Sequence, residues 1–339
     1  MPCRPARPAK RAHDAARLEG ATQGVWNSPN ASTFGFSRHR HMASTPAGKR
    51  RRWLALSFLA LCIAVGTPYG CSRLAYKERE LIFNIEPGPA SWFSGVPKGM
   101  VEMNIPVAAD LASDRQYLHA WWWPAATPGA PAALYLHGTR WNLTAQLRRI
   151  GQLREMGFSV LAIDYRGFGE SPGTLPSERS VYEDAQAAWS RLVTLQPDPG
   201  KRFIYGHSLG GAIAVELAER IGEGEAPAAS GLIVESTFTN MADAAKAVID
   251  TSLPIRWILS EKFDSVDKIA NIGMPVLIVH GTDDKYVPDR FSQALFAAAV
   301  APKRLLLVPG GTHNNSMGVG SREYALAVRE LFGVSAARN

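Results

Sequence analysis

One serine, Ser208, stands between glycines in the stretch "RFIYGHSLGGAIAVELAER" at residues 202–220. Glycine weakens strands and helices by about 0.5–1 kcal/mol relative to alanine, so Gly206 and Gly210 need a geometric reason. The apolar run before Ser208 predicts a strand, and the pattern after it predicts a helix. A sharp turn between them would project the serine Oγ, and side chains at 206 and 210 would collide across that turn. The segment is therefore a candidate site for nucleophilic catalysis.

Such chemistry needs an acid and then a histidine, each after a later strand. Asp283 and Asp284 follow an apolar run in "VLIVHGTDDKYVP", and either one is a candidate for the acid. His313 in "LLLVPGGTHNN" is the one histidine of eight that lies in a loop after the last predicted strand. A hydroxyl, a carboxylate and an imidazole in this chain order predict nucleophilic attack on an acyl carbonyl, with the imidazole as general base.

The elements that must position these residues alternate between short apolar strands and helices from about residue 100 onward. Continuous apolar strands such as "AALYLHG", "SVLAIDYRGFG" and "PVLIVHG" indicate a sheet that is covered on both faces. Helices are predicted around "TAQLRRIGQLREMG" and "RSVYEDAQAAWSRLVTL" and from Arg322 onward. The alternation predicts an α/β fold with a mostly parallel, doubly wound sheet, preceded by an antiparallel pair of strands.

The insert at residues 238–272 interrupts this alternation. It is interpreted as one or two short helices broken at Pro254. On an open α/β sheet, an insert after the carboxyl end of a strand lies over the crevice where ligands bind. We therefore expect a small helical lid, and its apolar residues favour hydrophobic acyl chains; these residues are Leu253, Pro254, Ile255, Trp257, Ile258 and Leu259.

Charge is unevenly distributed along the chain. The formal net charge is +7, but positions 1–52 hold 11 Lys/Arg and 2 Asp/Glu, which leaves 26 and 28 for the remainder. The remainder has no general positive field, so nucleic acid is excluded as an expected partner. All three cysteines, Cys3, Cys62 and Cys71, precede this part of the chain, which excludes a disulfide framework or a cysteine metal site in it. Neither a cofactor nor a metal is expected.

The N-terminal part of the chain is predicted to contain three segments. Residues 1–48 are expected to be a disordered basic extension, with translation beginning at Met42. Basic residues 49–52 before an apolar run at 53–66 predict a signal anchor or signal peptide at residues 49–71. The catalytic domain would then be anchored to a membrane and exported to the periplasm or outside the cell, or secreted after cleavage. Residues 72–100 are expected to be a linker, and 101–334 the α/β domain.

Six motifs occur in a fixed order: "LYLHG", "DYRGFGES", "GHSLGG", "ESTF", "HGTDDKYVP" and "GGTHNN". Over about residues 101–334 the chain resembles the α/β-hydrolase superfamily. Within it, the chain is similar to membrane-anchored serine hydrolases related to depalmitoylase-like and serine-aminopeptidase-like α/β-hydrolase-domain proteins. The family pattern G-x-x-D-x-x-V-P places the acid at Asp284. The family commonly has His-Gly-Asn where this chain has His137, Gly138 and Thr139.

The resemblance implies a serine hydrolase that cleaves carboxylic esters or thioesters of a small-molecule or lipid-like acyl substrate. Ser208 would form the acyl-enzyme, His313 would take its proton, and Asp284 would orient the imidazole. The backbone N–H groups of Leu209 and Thr139 would form the oxyanion hole. A peptidase or an acyltransferase of the same fold is an alternative. A non-catalytic α/β-hydrolase-like binding protein is another.

Several other polar residues are expected to be structural. His137, His207 and His280 adjoin glycines at strand ends, where they would shape loops. Arg166 and Glu170 are expected to pair with each other in the turn "DYRGFGES".

Overall fold

The computed structural model describes residue 57 and residues 70–107, 116–249 and 254–335. The chain divides into two units between Ala60 and Leu61, and every element below belongs to the second, Leu61–Asn339. The predicted extension at 1–48 and nearly all of the predicted signal segment at 49–71 lie outside the described residues. Among the helices in the described ranges, none has the length and apolar character needed to cross a bilayer.

In the described part of the chain, eight strands form one sheet in the order β1-β2-β4-β3-β5-β6-β7-β8. Their bounds are β1 Val101–Pro106, β2 Tyr117–Trp123, β3 Ala132–Leu136, β4 Ser159–Ile163, β5 Arg202–His207, β6 Gly231–Glu235, β7 Val276–Gly281 and β8 Lys303–Val308. β2 runs antiparallel to β1 and β4, and the remaining neighbours are parallel. The predicted α/β fold with a mostly parallel sheet is confirmed.

Helices cover both faces of the sheet. Residues 70–83 are helical and are called α1. The others are α2 Leu143–Glu155, α3 Glu178–Leu195, α4 Leu209–Gly222, α5 Met241–Val248, α6 Ile255–Ile258, α7 Ser265–Ile269, α8 Arg290–Ala298, α9 Ser316–Val319 and α10 Ser321–Phe332. A capping box at Ser177 begins α3, and Gly333 in the left-handed conformation ends α10. Both ends therefore follow ordinary capping chemistry.

Two apolar layers hold the helices to the sheet. One layer joins side chains of α3, α4 and α8 to alternate residues of β3–β7, and the other joins α2 and α10 to the intervening residues. Every residue of β3, β4 and β6 is buried, which explains their continuous apolar sequences. The carboxyl ends of the parallel strands thus share one edge of the sheet, where the loops after β3, β5, β7 and β8 meet.

Two regions differ from the sequence-based expectations. The expected linker at 72–100 contains α1, and Phe83 at its end is fully buried, with ring contacts to Phe168 and Phe263 at 6.4 Å. Glu78 of α1 also accepts hydrogen bonds from the backbone N–H groups of Ser260 and Glu261 in the insert. The insert itself contains three short helices, α5, α6 and α7, rather than one or two. These contacts are separated by more than 80 residues in sequence, so no local pattern signals them.

Candidate active site

Ser208 is the single residue between β5 and α4, and its backbone is strained. Its φ of 55° and ψ of −122° lie in a region that L-residues with a side chain rarely occupy. Two hydrogen bonds hold this conformation: Ser208 N–H donates to the Glu235 carbonyl at 2.9 Å, and Thr237 Oγ1 donates to the Ser208 carbonyl at 2.8 Å. The loop after β6 thus fixes the sharp turn that the sequence predicts.

The flanking glycines are needed for close approach of backbone atoms. A Cβ at Gly206 would lie 2.2 Å from the Gly210 carbonyl oxygen, which is the collision across the turn that the sequence predicts. A Cβ at Gly210 would lie 2.1 Å from the Leu136 carbonyl oxygen and 2.5 Å from that of His137. Gly210 is therefore required by the neighbouring end of β3, a contact that the local sequence does not reveal.

The loop after β3 lies directly against Ser208. A Cβ at Gly138 would be 3.1 Å from the Ser208 Cβ. Among the described residues, the backbone N–H groups of Leu209 and Thr139 and the Ser208 Oγ have no hydrogen-bond partner. Leu209 N–H is also at the positive end of the α4 dipole. Two free amides beside an unpaired hydroxyl are able to bind an oxyanion that forms on an attacked carbonyl.

Residues 83–86 support the loop that carries Thr139. Arg140 has a φ of 76°, and its N–H donates to the Phe83 carbonyl at 2.9 Å. The Arg140 carbonyl accepts from Glu86 N–H at 2.7 Å, and the Arg140 Nε contacts the Glu86 carboxylate at 3.0 Å. The segment expected to be a linker therefore shapes the site.

Asp284 and His313 form a short hydrogen bond, with 2.7 Å between Asp284 Oδ2 and His313 Nδ1. The other carboxylate oxygen of Asp284 accepts from the backbone N–H groups of Tyr286 and Val287, both at 2.9 Å. Burial alone would raise the pKa of Asp284, but hydrogen bonds from His280 and His313 hold that pKa far below its usual range. Asp284 is therefore an ionised carboxylate whose side chain is completely buried.

The neighbouring Asp283 is placed differently. It is exposed, its N–H donates to the Gly311 carbonyl at 2.8 Å, and its carboxylate contacts Thr282 Oγ1 at 3.3 Å. Of the two candidates for the acid, the geometry brings Asp284 to His313.

His280 is a second imidazole on Asp284. Its Nε2 lies 2.8 Å from the Val287 carbonyl, which only accepts, so this nitrogen carries the hydrogen. The same nitrogen lies 3.3 Å from Asp284 Oδ2, while Nδ1 accepts from the Ser292 hydroxyl at 2.6 Å. His280, expected to shape a loop, thus joins β7 and α8 to the site carboxylate. The motif "HGTDD" places it there, but only the fold shows the contact.

His207, next to Ser208, contacts His313. Its Nε2 donates to the His313 carbonyl at 2.8 Å, and the two rings lie 4.9 Å apart. Burial, with Arg149 and His313 nearby, holds the pKa of His207 well below its ordinary value, so the ring is neutral.

Since His313 Nδ1–H is donated to Asp284, the Nε2 of His313 keeps a free lone pair. No hydrogen bond joins this nitrogen to Ser208 Oγ in the described residues; such bonds often tighten only when substrate is bound.

A buried polar cluster lies beneath the turn. Its centre is Glu235, which is fully buried. The Glu235 carboxylate accepts from the hydroxyls of Ser316 at 2.6 Å, Tyr205 at 2.6 Å and Tyr324 at 3.2 Å, and contacts the Arg149 guanidinium at 3.4 Å. Burial alone would lower the pKa of Arg149, but Glu235 raises it, so Arg149 stays charged. The motif "ESTF" marks this position without revealing the partners.

Two other expectations have different outcomes. His137 is buried and its Nδ1 donates to the Gly138 carbonyl at 2.7 Å, so it shapes the loop as expected. Arg166 does not pair with Glu170. The Arg166 guanidinium instead contacts Asp184 at 2.5 Å and Glu183 at 2.9 Å, because α3 presents two acids to the turn.

Comparisons with known proteins agree on one family. The family profile described as "Serine aminopeptidase, S33" matches residues 131–267. The uncharacterized protein MT2364 of Mycobacterium tuberculosis is 34% identical over 288 residues, which cover 84% of this chain and 96% of that protein. The lysophosphatidylserine lipase ABHD12 of Xenopus tropicalis is 34% identical over 202 residues, 55% of this chain and 51% of the lipase.

Solved structures share the fold. The esterase Pf2001 of Pyrococcus furiosus superposes with a TM-score of 0.56 at 18% identity, covering 74% of this chain and 99% of the esterase. The alpha-beta hydrolase from Vibrio vulnificus gives a TM-score of 0.56 at 20% identity, covering 77% of this chain and 92% of that protein.

Proposed function

Because the chain belongs to the serine hydrolases of the α/β-hydrolase superfamily, we propose that it cleaves carboxylic ester or thioester bonds through Ser208, His313 and Asp284. The observation that carries this proposal is the 2.7 Å bond between Asp284 and His313 at the edge where the strained turn presents Ser208. The bond leaves the His313 Nε2 lone pair free to accept a proton.

The chemistry follows from these roles. His313 Nε2 takes the proton of Ser208 Oγ as the oxygen attacks the acyl carbonyl, and Asp284 stabilises the imidazolium that forms. The proton then passes to the leaving alcohol or thiol, and water cleaves the acyl-enzyme by the reverse sequence. The amides of Leu209 and Thr139 bind the oxyanion, and loss of one such donor costs about 3–4 kcal/mol in the transition state.

We propose a hydrophobic, lipid-like acyl group as substrate. The support is the insert between β6 and β7, where Trp257 is 89% exposed and Ile258 is 49% exposed. Large apolar side chains that are exposed together mark places where a protein contacts an apolar ligand or surface. The name of the lysophosphatidylserine lipase relative also favours a lipid ester.

A fluorophosphonate probe tests the nucleophile. The wild-type chain should be labelled, Ser208→Ala should not, and Ser190→Ala, which changes an exposed serine on α3, should be labelled like the wild type. Equal labelling of Ser208→Ala would refute Ser208 as the nucleophile. No labelling of the wild type would leave a non-catalytic binding protein as the better interpretation.

A substrate series then identifies the bond and the acyl group. We expect kcat/KM to rise with chain length among p-nitrophenyl esters and to exceed that for aminoacyl p-nitroanilides. A preference for the anilides would instead identify a peptidase. Transfer of the acyl group to an added alcohol in preference to water would identify an acyltransferase.

We also propose that residues 49–71 attach the protein to a membrane, with the hydrolase domain exported. The support is sequence alone: the basic residues 49–52 precede the apolar run 53–66. Recovery in the carbonate-resistant membrane fraction, with protease access from the outer side, is the expected result. A protein found whole in the soluble cell extract would exclude both attachment and export.

A further inference from the structure

A second cluster of chemistry-bearing residues lies at the other end of the sheet order, on β1 and β2. Glu102 is on β1, His119 is on β2, and Glu170 is in the loop after β4. Asn104 and His119 are direct cross-strand partners, so Glu102, two residues from Asn104, shares their face of the sheet. These residues line a cavity of about 260 Å³ together with Met103 and Tyr117.

Asp164 sets the tautomer of His119. Its Nδ1 lies 3.3 Å from Asp164 Oδ2, and the Asp164 carboxylate also accepts from Leu143 N–H at 2.8 Å. A carboxylate only accepts, so His119 Nδ1 carries the hydrogen. A carboxylate behind an imidazole is the usual support of a metal-binding histidine, because it fixes the ring and raises its basicity.

The other nitrogen of His119 has no partner and points into the cluster. His119 is 6% exposed, and its Nε2 is buried without a hydrogen-bond partner in the described residues. Nε2 lies 3.6 Å from Glu102 Oε2 and 3.9 Å from Glu170 Oε2. A neutral lone pair facing two carboxylates is repulsive, so a positive charge stabilises this arrangement, either as a proton on His119 Nε2 or as a cation bound between the three groups.

We propose that Glu102, His119 and Glu170 bind a divalent transition-metal ion of the Zn²⁺ type. One imidazole nitrogen and two carboxylate oxygens form an accepted ligand set for Zn²⁺, with water in the remaining position. The three ligand atoms lie within 4.8 Å of one another. Tetrahedral ligation at about 2.0–2.2 Å requires them to be about 3.4 Å apart.

The required contraction is possible for these side chains. The side chains of Glu102 and Glu170 are 51% and 78% exposed, so their carboxylates are free to close the distances of 3.6 and 3.9 Å to His119 Nε2, and the spread of up to 4.8 Å among the three ligand atoms, to about 3.4 Å. Their exposure also gives the ion a path from solvent and leaves room for a water ligand. No metal site was expected from the sequence, and these three ligands, spread over 69 positions, form no ligand motif that would signal one.

Zinc titration of the full chain, stripped of metal, tests the site by calorimetry and by Tm. Cysteines and histidines at residues 3–71 offer other ligands, so the decisive quantity is a difference between variants. We expect Glu102→Gln/Glu170→Gln to bind one Zn²⁺ per chain fewer than the wild type and to lose the Zn²⁺-dependent rise in Tm. Glu155→Gln, at an exposed glutamate that ends α2, should bind like the wild type.

Two further readouts keep the result clear. The double variant should have the wild-type Tm in the absence of zinc, since both altered side chains are exposed. His119→Gln should weaken the same binding event by more than tenfold. Equal stoichiometry and an equal Tm rise in wild type and double variant would overturn the proposal and leave a protonated His119 as the charge that the carboxylates meet.

Discussion

The substitution Asp284→Asn probes how one carboxylate sets the tautomer of His313. The amide oxygen of asparagine is able to keep the two backbone hydrogen bonds from Tyr286 and Val287, at 2.9 Å each. The amide NH₂ then takes the position of Oδ2, which is 2.7 Å from His313 Nδ1 and 3.3 Å from His280 Nε2. An NH₂ group donates, so His313 Nδ1 must accept.

The proton of the imidazole therefore moves to Nε2, the nitrogen assigned to take the proton of Ser208. A tautomer error of this kind costs about 10⁴-fold in kcat, which corresponds to about 5.4 kcal/mol at 1.36 kcal/mol per tenfold. KM should change little, because Asp284 is buried behind His313 and its side chain is not exposed to substrate.

The assay is steady-state hydrolysis of a p-nitrophenyl ester, with Asp283→Asn as the matched control. Asp283 is exposed and is not hydrogen-bonded to His313, so its variant should keep kcat within about twofold of the wild type. If Asp284→Asn keeps more than a tenth of the activity, or if Asp283→Asn causes the larger loss, the tautomer argument and the assignment of the acid are both refuted.

Three further predictions concern stability. Because the pKa of Asp284 is depressed in the folded state, its carboxylate stabilises the fold above the unfolded pKa of about 3.9, and this stabilisation is lost as pH falls below that value. The urea midpoints of wild type and Asp284→Asn should therefore converge in acid. A gap that stays constant with pH would contradict this. Gly210→Ala should lower the free energy of unfolding by more than about 3 kcal/mol, because the new Cβ would lie 2.1 Å from a backbone oxygen. Gly273→Ala, with open space around it, should lower that free energy by less than about 1 kcal/mol. Similar losses in the two variants, measured by urea unfolding, would refute the close contact at Gly210. Phe83→Ala should lower the free energy of unfolding by about 3–5 kcal/mol, because Phe83 is fully buried. Leu81 is 81% exposed, so Leu81→Ala should lower it by less than about 0.5 kcal/mol. Equal values would indicate that residues 72–100 are a linker, as the sequence predicted.

The sequence was most informative where local sterics and chain order decide the structure. The glycines around Ser208 predicted the turn because a collision between residues 206 and 210 is a local event. His313 follows the last strand, and this position predicted that it lies at the same edge of the sheet as Ser208, because the carboxyl ends of parallel strands lie together. The strands themselves were recognisable because burial on both faces leaves little choice but apolar residues.

The remainder depends on contacts between segments far apart in sequence. Two adjacent aspartates have the same chemistry, so only the family spacing favoured Asp284, and the physical reason is that the backbone after β7 turns Asp284 inward and Asp283 outward. The support of the Thr139 loop comes from Glu86, which is 54 residues from its partner Arg140. His119 has the chemistry of a ligand only because Asp164 lies behind it. The last two pairings leave no spacing pattern in the sequence.

The buried cluster around Glu235 has a consequence for how the domain unfolds. Its donors come from α2, β5, α9 and α10, so release of any one segment leaves a charged or hydroxyl group without a partner in an apolar interior. Partial opening is thereby penalised, and the C-terminal helix α10 belongs to the same cooperative unit as the turn that carries Ser208. In hydrogen exchange, amides of α10 and of residues 203–207 should open together, and cutting the chain before Tyr324 should unfold the whole domain rather than shorten it.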